Sequence, residues 1–116
     1  GNIGLMNIDN VSRNALLGIM IGETSYWDRG YGADAIQTLL RFAFETLNLR
    51  KISLHVLELN ERAIACYRSC GFSEEARQKS HIFYLGRYRD DIIMSIFRDD
   101  RDGKKRRGGG KMGRKA

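Results

Sequence analysis

Apolar residues change their spacing along this chain, and that change limits the fold more than any other feature. Ile36, Leu39, Leu40, Ala43 and Leu47 recur every three or four residues, which puts them on one stripe of a helix from about Ala33 to Leu47. In ISLHVLEL, by contrast, Ile52, Leu54 and Val56 alternate, the period of a strand. Both periods in one short chain predict a mixed fold. Upstream, GNIGLMNID and LLGIMIGE are apolar runs joined by the polar NVSRNA, which predicts an antiparallel hairpin. Downstream, Asn60 is placed to cap a short helix, ERAIACYRSC, and Gly71 to end it with a left-handed residue. A charged link follows, then a strand HIFYL, a turn around Gly86 and a last strand DIIMSIF. The predicted order is β-β-α-β-α-β-β. Proline is absent, so the turns rest on Gly, Asn and Asp.

At 116 residues the chain holds one hydrophobic core at most. Hydrophobic residues at 42% and charged ones at 29% are the balance of a globular protein. The longest apolar run is far short of a membrane span. No basic segment precedes an apolar stretch, so secretion is not indicated and the cytoplasm is expected.

The net charge of +6 is unevenly placed. Residues 101–116 hold eight Lys or Arg and one Asp, net +7; residues 1–100 hold twelve against thirteen acidic residues, net −1. The chain therefore divides into a nearly neutral domain, 1–100, and a basic, Gly-rich tail, 101–116, with almost nothing apolar to bury. The tail is expected to be disordered alone. Its functional reading is a nucleic-acid or ribosome contact through phosphates; the plainer reading, a solubilising extension, is preferred.

Cys66 and Cys70, four apart on a helix, share a face and suit two free thiols in a reducing compartment. Their spacing with His55 and His81 matches no common zinc pattern, so no metal is expected.

Two stretches carry chemistry. In SYWDRGYGADAIQ a strand hands over to a helix through Gly30 and Gly32, where unpaired helix N–H groups and the helix dipole favour an anion. Neither glycine brings a Cβ to keep a ligand off the backbone, and Arg29 adds charge at the rim. Ala35 stands where a dinucleotide fingerprint has its third glycine, and no Lys-Ser/Thr closes an ATP-type loop. In LNERAIACYRSCGF, Tyr67 follows Asn60 by seven residues, with a hydroxyl able to donate a proton. Taken singly, these stretches also read as a plain turn, a cap and a packing tyrosine.

Together, YWDRGYGADA and NERAIACYRSCGF, with the closing GRYRDDIIMSIF, resemble the GNAT superfamily of acetyl-CoA-dependent N-acetyltransferases. The likeness runs from residue 3 to about 98. It is nearest to the branch that holds the ribosomal-protein N-terminal acetyltransferases and their small-amine relatives. Trp27 stands where the superfamily usually has Arg or Gln, as it does in that branch.

The resemblance implies a GNAT-like, mostly antiparallel mixed sheet with two helices, an α/β (α+β) fold. The family's first strand, two helices and second strand are missing, so a fragment or a natural truncation is expected. It implies that the pantetheine arm of acetyl-CoA pairs with Ile19, Met20 and Ile21, and that the pyrophosphate rests on the amides of Arg29, Gly30, Tyr31, Gly32 and Ala33 beside Trp27. Asn60 would hydrogen-bond the arm and Tyr67 would protonate the departing thiolate. A primary amine, a protein N-terminus or a small molecule, would attack the thioester directly. Glu58, Glu23 and His81 are the candidates for the base. The alternative is a catalytically inactive remnant that binds acetyl-CoA or a protein partner. The strand at residues 3 to 9 is expected at a sheet edge, there to pair with a second copy of the chain.

Overall fold

A computed structural model describes residues 2–20 and 31–99 of the chain. Strands β1 (Asn2–Asp9) and β2 (Asn14–Met20) form the expected hairpin. Its turn is closed by Asp9, whose Oδ1 accepts the N–H groups of Val11 and Ser12 at 3.0 Å each. Helix α1 (Tyr31–Arg41) runs on as a π-helical turn, Phe42–Thr46. Then come β3 (Lys51–Leu57), α2 (Glu61–Ser69), β4 (Ser73–Tyr84) and β5 (Arg87–Phe97). The five strands make one sheet in the order β1-β2-β3-β5-β4, parallel between β2 and β3 and antiparallel elsewhere.

The β3–β5 register decides which face is which. Ile52 pairs with Ile96, Leu54 with Met94 and Val56 with Ile92, and all six are buried on one face. Ala15 and Leu17 of β2 join them, and Ile36 and Leu40 of α1 and Ala63 and Tyr67 of α2 complete the same core. Both helices therefore pack on one side of the sheet. Removing side chains of this size from water contributes roughly 1.5–3 kcal/mol each, so the apolar alternation alone favours this arrangement.

Three details differ from the sequence reading. Helix α1 begins at Tyr31 rather than Ala33, and its last turn is π-helical. There Leu47 N–H donates to Phe42 O at 3.1 Å, five residues back. That wider turn moves the face round. Phe44 and Leu49 point into the core and Leu47, expected on the apolar stripe, is 36% exposed. The charged link after Phe72 is not a link: Ser73–Tyr84 is one strand, exposed along its length. An edge strand held by its backbone ladder to β5 needs no apolar alternation, so its sequence carries no strand period. Finally, β5 starts at Arg87, four residues before the predicted DIIMSIF.

The strand at the front of the chain lies at a sheet edge, as expected. Ile3 and Leu5 pack against the core while Met6 and Ile8 are about half exposed. On the opposite face of the hairpin, the Met6 methyl occupies the space that a Cβ on Gly18 would need. The hairpin is fastened to the rest through Arg13, whose carbonyl accepts from Arg50 N–H at 2.7 Å and Lys51 N–H at 3.2 Å.

Gly71 ends α2 at φ +111°, and a Cβ there would stand 2.8 Å from Ile96 Cδ1. Few L side chains adopt that φ, and Ile96 is core. Gly71→Ala should lower unfolding stability by about 1–3 kcal/mol, read from urea denaturation. An unchanged midpoint would mean that α2 can end in another way.

Candidate functional site

The parallel ladder between β2 and β3 is short. It joins Asn14 to Lys51, Ala15 to Ile52 and Leu16 to Ser53, and ends there. Beyond it β2 continues to Met20, paired with β1 alone, and β3 continues to Leu57, paired with β5 alone. Two strands inside one sheet thus part company, and their facing edges carry backbone N–H and C=O groups with no strand partner among the described residues. Such groups are strong donors and acceptors, and a ligand placed in the gap could satisfy them.

Several of the sequence-predicted residues lie on the described elements that flank this opening in sequence. Ile19 and Met20 are the last residues of β2, paired with Ile3 and Asn2. Tyr31, Gly32 and Ala33 form the first described turn of α1. Ile21, Glu23, Trp27, Arg29 and Gly30 lie outside the described residues. Asn60 caps α2: its Oδ1 accepts from Ala63 N–H at 3.3 Å, which leaves its NH2 group as the donor it can offer a ligand. Cys70 Sγ lies 4.0 Å from the Ala33 carbonyl, 37 residues away in sequence, so the two signature stretches meet in space.

Tyr67 is 6% exposed, with its ring 6.1 Å from that of Phe72. Burial, with Cys66 and Cys70 adding to it, pushes its hydroxyl up to about 12. The phenol therefore stays protonated across the physiological range. It is also less acidic than an ordinary thiol, so its natural service to a departing sulfur is a strong hydrogen bond rather than early proton transfer.

Glu58 and His81 fare differently. Glu58 Oε2 accepts the Asp90 N–H at 2.7 Å and its Oε1 stands 3.7 Å from Arg77 Nη1, so the carboxylate clamps β3 to the β4–β5 hairpin. His81 is exposed on β4.

The sheet face away from the helices holds polar groups that sequence reading did not connect. Ser53 and Ser95 hydroxyls are 2.8 Å apart, and Ser95 donates to Glu75 Oε1, so Ser53 must donate to Ser95. Lys51 Nζ completes the chain 2.9 Å from Glu75 Oε2. The Ser95 hydroxyl first, and Lys51 second, hold the Glu75 carboxyl below the usual carboxylate range. Two residues along β3, His55 Nδ1 lies 2.7 Å from Asp91 Oδ2. The signal for this pair was not local, because the partners are 36 residues apart.

Both thiols are pushed up, Cys66 to about 11, chiefly by burial. Neither is a ready nucleophile. In native protein at pH 7.5, an aromatic disulfide reagent should label them slowly and label both at once after unfolding in guanidinium. Rapid native labelling would reveal a thiolate that this arrangement does not support.

Residues 1–73 match the family model described as an acetyltransferase (GNAT) domain. The chain is 37% identical over 97 residues to the spermidine N(1)-acetyltransferase of Escherichia coli K12, covering 84% of this chain and 52% of that one. It is 29% identical over 105 residues, 90% of this chain and 57% of the other, to YdaF of Bacillus subtilis, which carries a ribosomal N-acetyltransferase name. Among solved structures, spermidine N-acetyltransferase from Vibrio cholerae in complex with CoA and spermine superposes with a TM-score of 0.78 at 33% identity. That match covers 87% of this chain and 59% of the other. The chain spans about half the length of the curated relatives it matches.

Proposed function

This chain belongs to the GNAT acetyltransferase family, and on that footing we propose that it transfers an acetyl group from acetyl-CoA to a primary amine, a polyamine of the spermidine class being the first acceptor to test. The observation that carries the reading is the parting of β2 and β3 after three ladder pairs. A pantetheine arm carries amide groups of its own and can pair with the open edge of β2 at Ile19 and Met20, continuing toward Ile21. The pyrophosphate then falls to the first turn of α1, at Tyr31, Gly32 and Ala33, with Trp27, Arg29 and Gly30 preceding it. Negative charge is favoured there by the helix dipole and the leading N–H groups.

Asn60, three residues past the strand that lines the other side of the gap, offers its NH2 group to a carbonyl of the arm. Tyr67 holds a hydroxyl hydrogen for the sulfur as it departs. The amine, once neutral, attacks the thioester carbonyl directly, so neither raised thiol has a part. Glu58 is more useful as the clamp between β3 and β5 than as the base. A chain that binds acetyl-CoA without turning it over is the competing reading, and its motive is the share of the relatives' length that is covered.

Calorimetry with acetyl-CoA, followed by thiol release over a panel of spermidine, spermine and a peptide N-terminus, tests the proposal. Binding with amine-dependent release is expected; binding alone favours the competing reading. Asn60→Ala should weaken acetyl-CoA binding about tenfold, the worth of one hydrogen bond together with the lost cap. Tyr67→Phe should lower kcat about 100-fold and leave acetyl-CoA binding nearly unchanged. Loss of binding in Tyr67→Phe would make the tyrosine a packing residue.

Self-association belongs to the same proposal. Among the described residues the outer edge of β1 has no strand partner, and Met6 and Ile8 are half exposed beside it. Sedimentation should show a dimer or larger; a monomer that melts cooperatively would count against pairing at β1. Residues 101–116 remain the candidate for a salt-sensitive RNA or ribosome contact, and a cytoplasmic setting suits an acetyl-CoA-dependent reaction. No helix among the described residues is long and apolar enough to cross a membrane.

A further inference from the structure

We propose that His55 is the base that takes the proton from the attacking amine, with Asp91 holding its ring, a role that rests on the acetyl-transfer reading above. The paired ladder of β2 and β3 ends at Ser53, and His55 follows two residues later on β3, where the strands have separated. It lies on the sheet face opposite the helices, since its neighbours Leu54 and Val56 are buried against them. On β2 the residue at that level and on that face is Gly18, which adds no side chain of its own and is covered by the Met6 methyl from β1. The sheet face that carries the helices and Tyr67 is thus on one side of β3, and the His55 imidazole is on the other.

The pair has the chemistry of a positioned base. Asp91 Oδ2 stands 2.7 Å from His55 Nδ1, and as a carboxylate it accepts the Nδ1–H. That bond fixes the tautomer and leaves the Nε2 lone pair for an incoming proton. The Asp91 side chain is only 10% exposed, so its charge is weakly screened and steadies the imidazolium once formed. The His55 side chain is 48% exposed, which gives the proton a way out to water. Glu58, by comparison, already has both oxygens engaged.

The step balances as follows. An ammonium proton moves to His55 Nε2, directly or through one water, and passes to solvent. The neutral nitrogen forms a C–N bond at the thioester carbon as the C–S bond breaks. The sulfur takes the phenolic hydrogen of Tyr67, and the surplus proton on the new amide nitrogen restores it. Asp91 is a positioning residue, since it acts through His55.

The test uses the full chain with acetyl-CoA and spermidine. His55→Ala should bind acetyl-CoA as the parent does, lose amine-dependent thiol release about 100-fold or more, and regain part of it with added imidazole. Asp91→Asn should lower kcat with unchanged acetyl-CoA binding. The nitrogen NMR signals of His55 should show a proton on Nδ1 in the parent and a mixture of tautomers in Asp91→Asn. If His55→Ala keeps parental kcat, or loses it without imidazole rescue while still binding acetyl-CoA, the base assignment is overturned and acetyl transfer stands. If the parent neither binds acetyl-CoA nor releases thiol, the acetyl-transfer reading fails and this assignment with it.

Discussion

The seven-residue antiparallel pairing of β3 with β5 is the interaction on which the remainder depends. It sorts the residues of both strands onto two faces with opposite character. On one face Ile52, Leu54, Val56, Ile92, Met94 and Ile96 make a floor that only apolar helix faces can cover. On the other, Ser53, Ser95, His55 and Asp91 are brought within hydrogen-bonding distance of one another in pairs. A one-residue slip of either strand would turn its three core residues outward and its polar ones, His55 on β3 or Asp91 and Ser95 on β5, into the core. Fold and chemistry therefore share one determinant.

A sheet that parts between two of its inner strands forgoes ladder hydrogen bonds it could have made. The loss is tolerable because each strand keeps a partner on its other side, β1 for β2 and β5 for β3. The first turn of α1 and the cap of α2 lie at the ends of these same strands. The Cys70–Ala33 approach ties the C-terminal end of α2 to the first turn of α1.

Much of this was legible in the residues. Ile36 and Leu40 announced α1, Ile52, Leu54 and Val56 announced β3, and Asn60 and Gly71 marked both ends of α2. What escaped shares a physical cause: it depends on partners distant in sequence or on departures from ideal geometry. Leu47 obeys the helical period, and only the π-helical turn carries it outward. The first part of β4, residues 73–80, has no buried face, so nothing in its side chains reports the ladder that holds it, and only the HIFYL end was readable as a strand. His55 and Asp91 looked like an exposed imidazole and one carboxylate among many until the β3–β5 register joined them. For the site, the cap and the helix start were readable from motifs, whereas Ile21, Trp27, Arg29 and Gly30 lie in the segment that is not described.

The contact between Met6 and Gly18 makes two positions on neighbouring strands answerable to each other. The thioether methyl stands where any side chain at 18 would begin, so a larger residue there requires the flexible, half-exposed end of Met6 to swing away from β2. A side chain at the second position would therefore uncover more of the first to solvent.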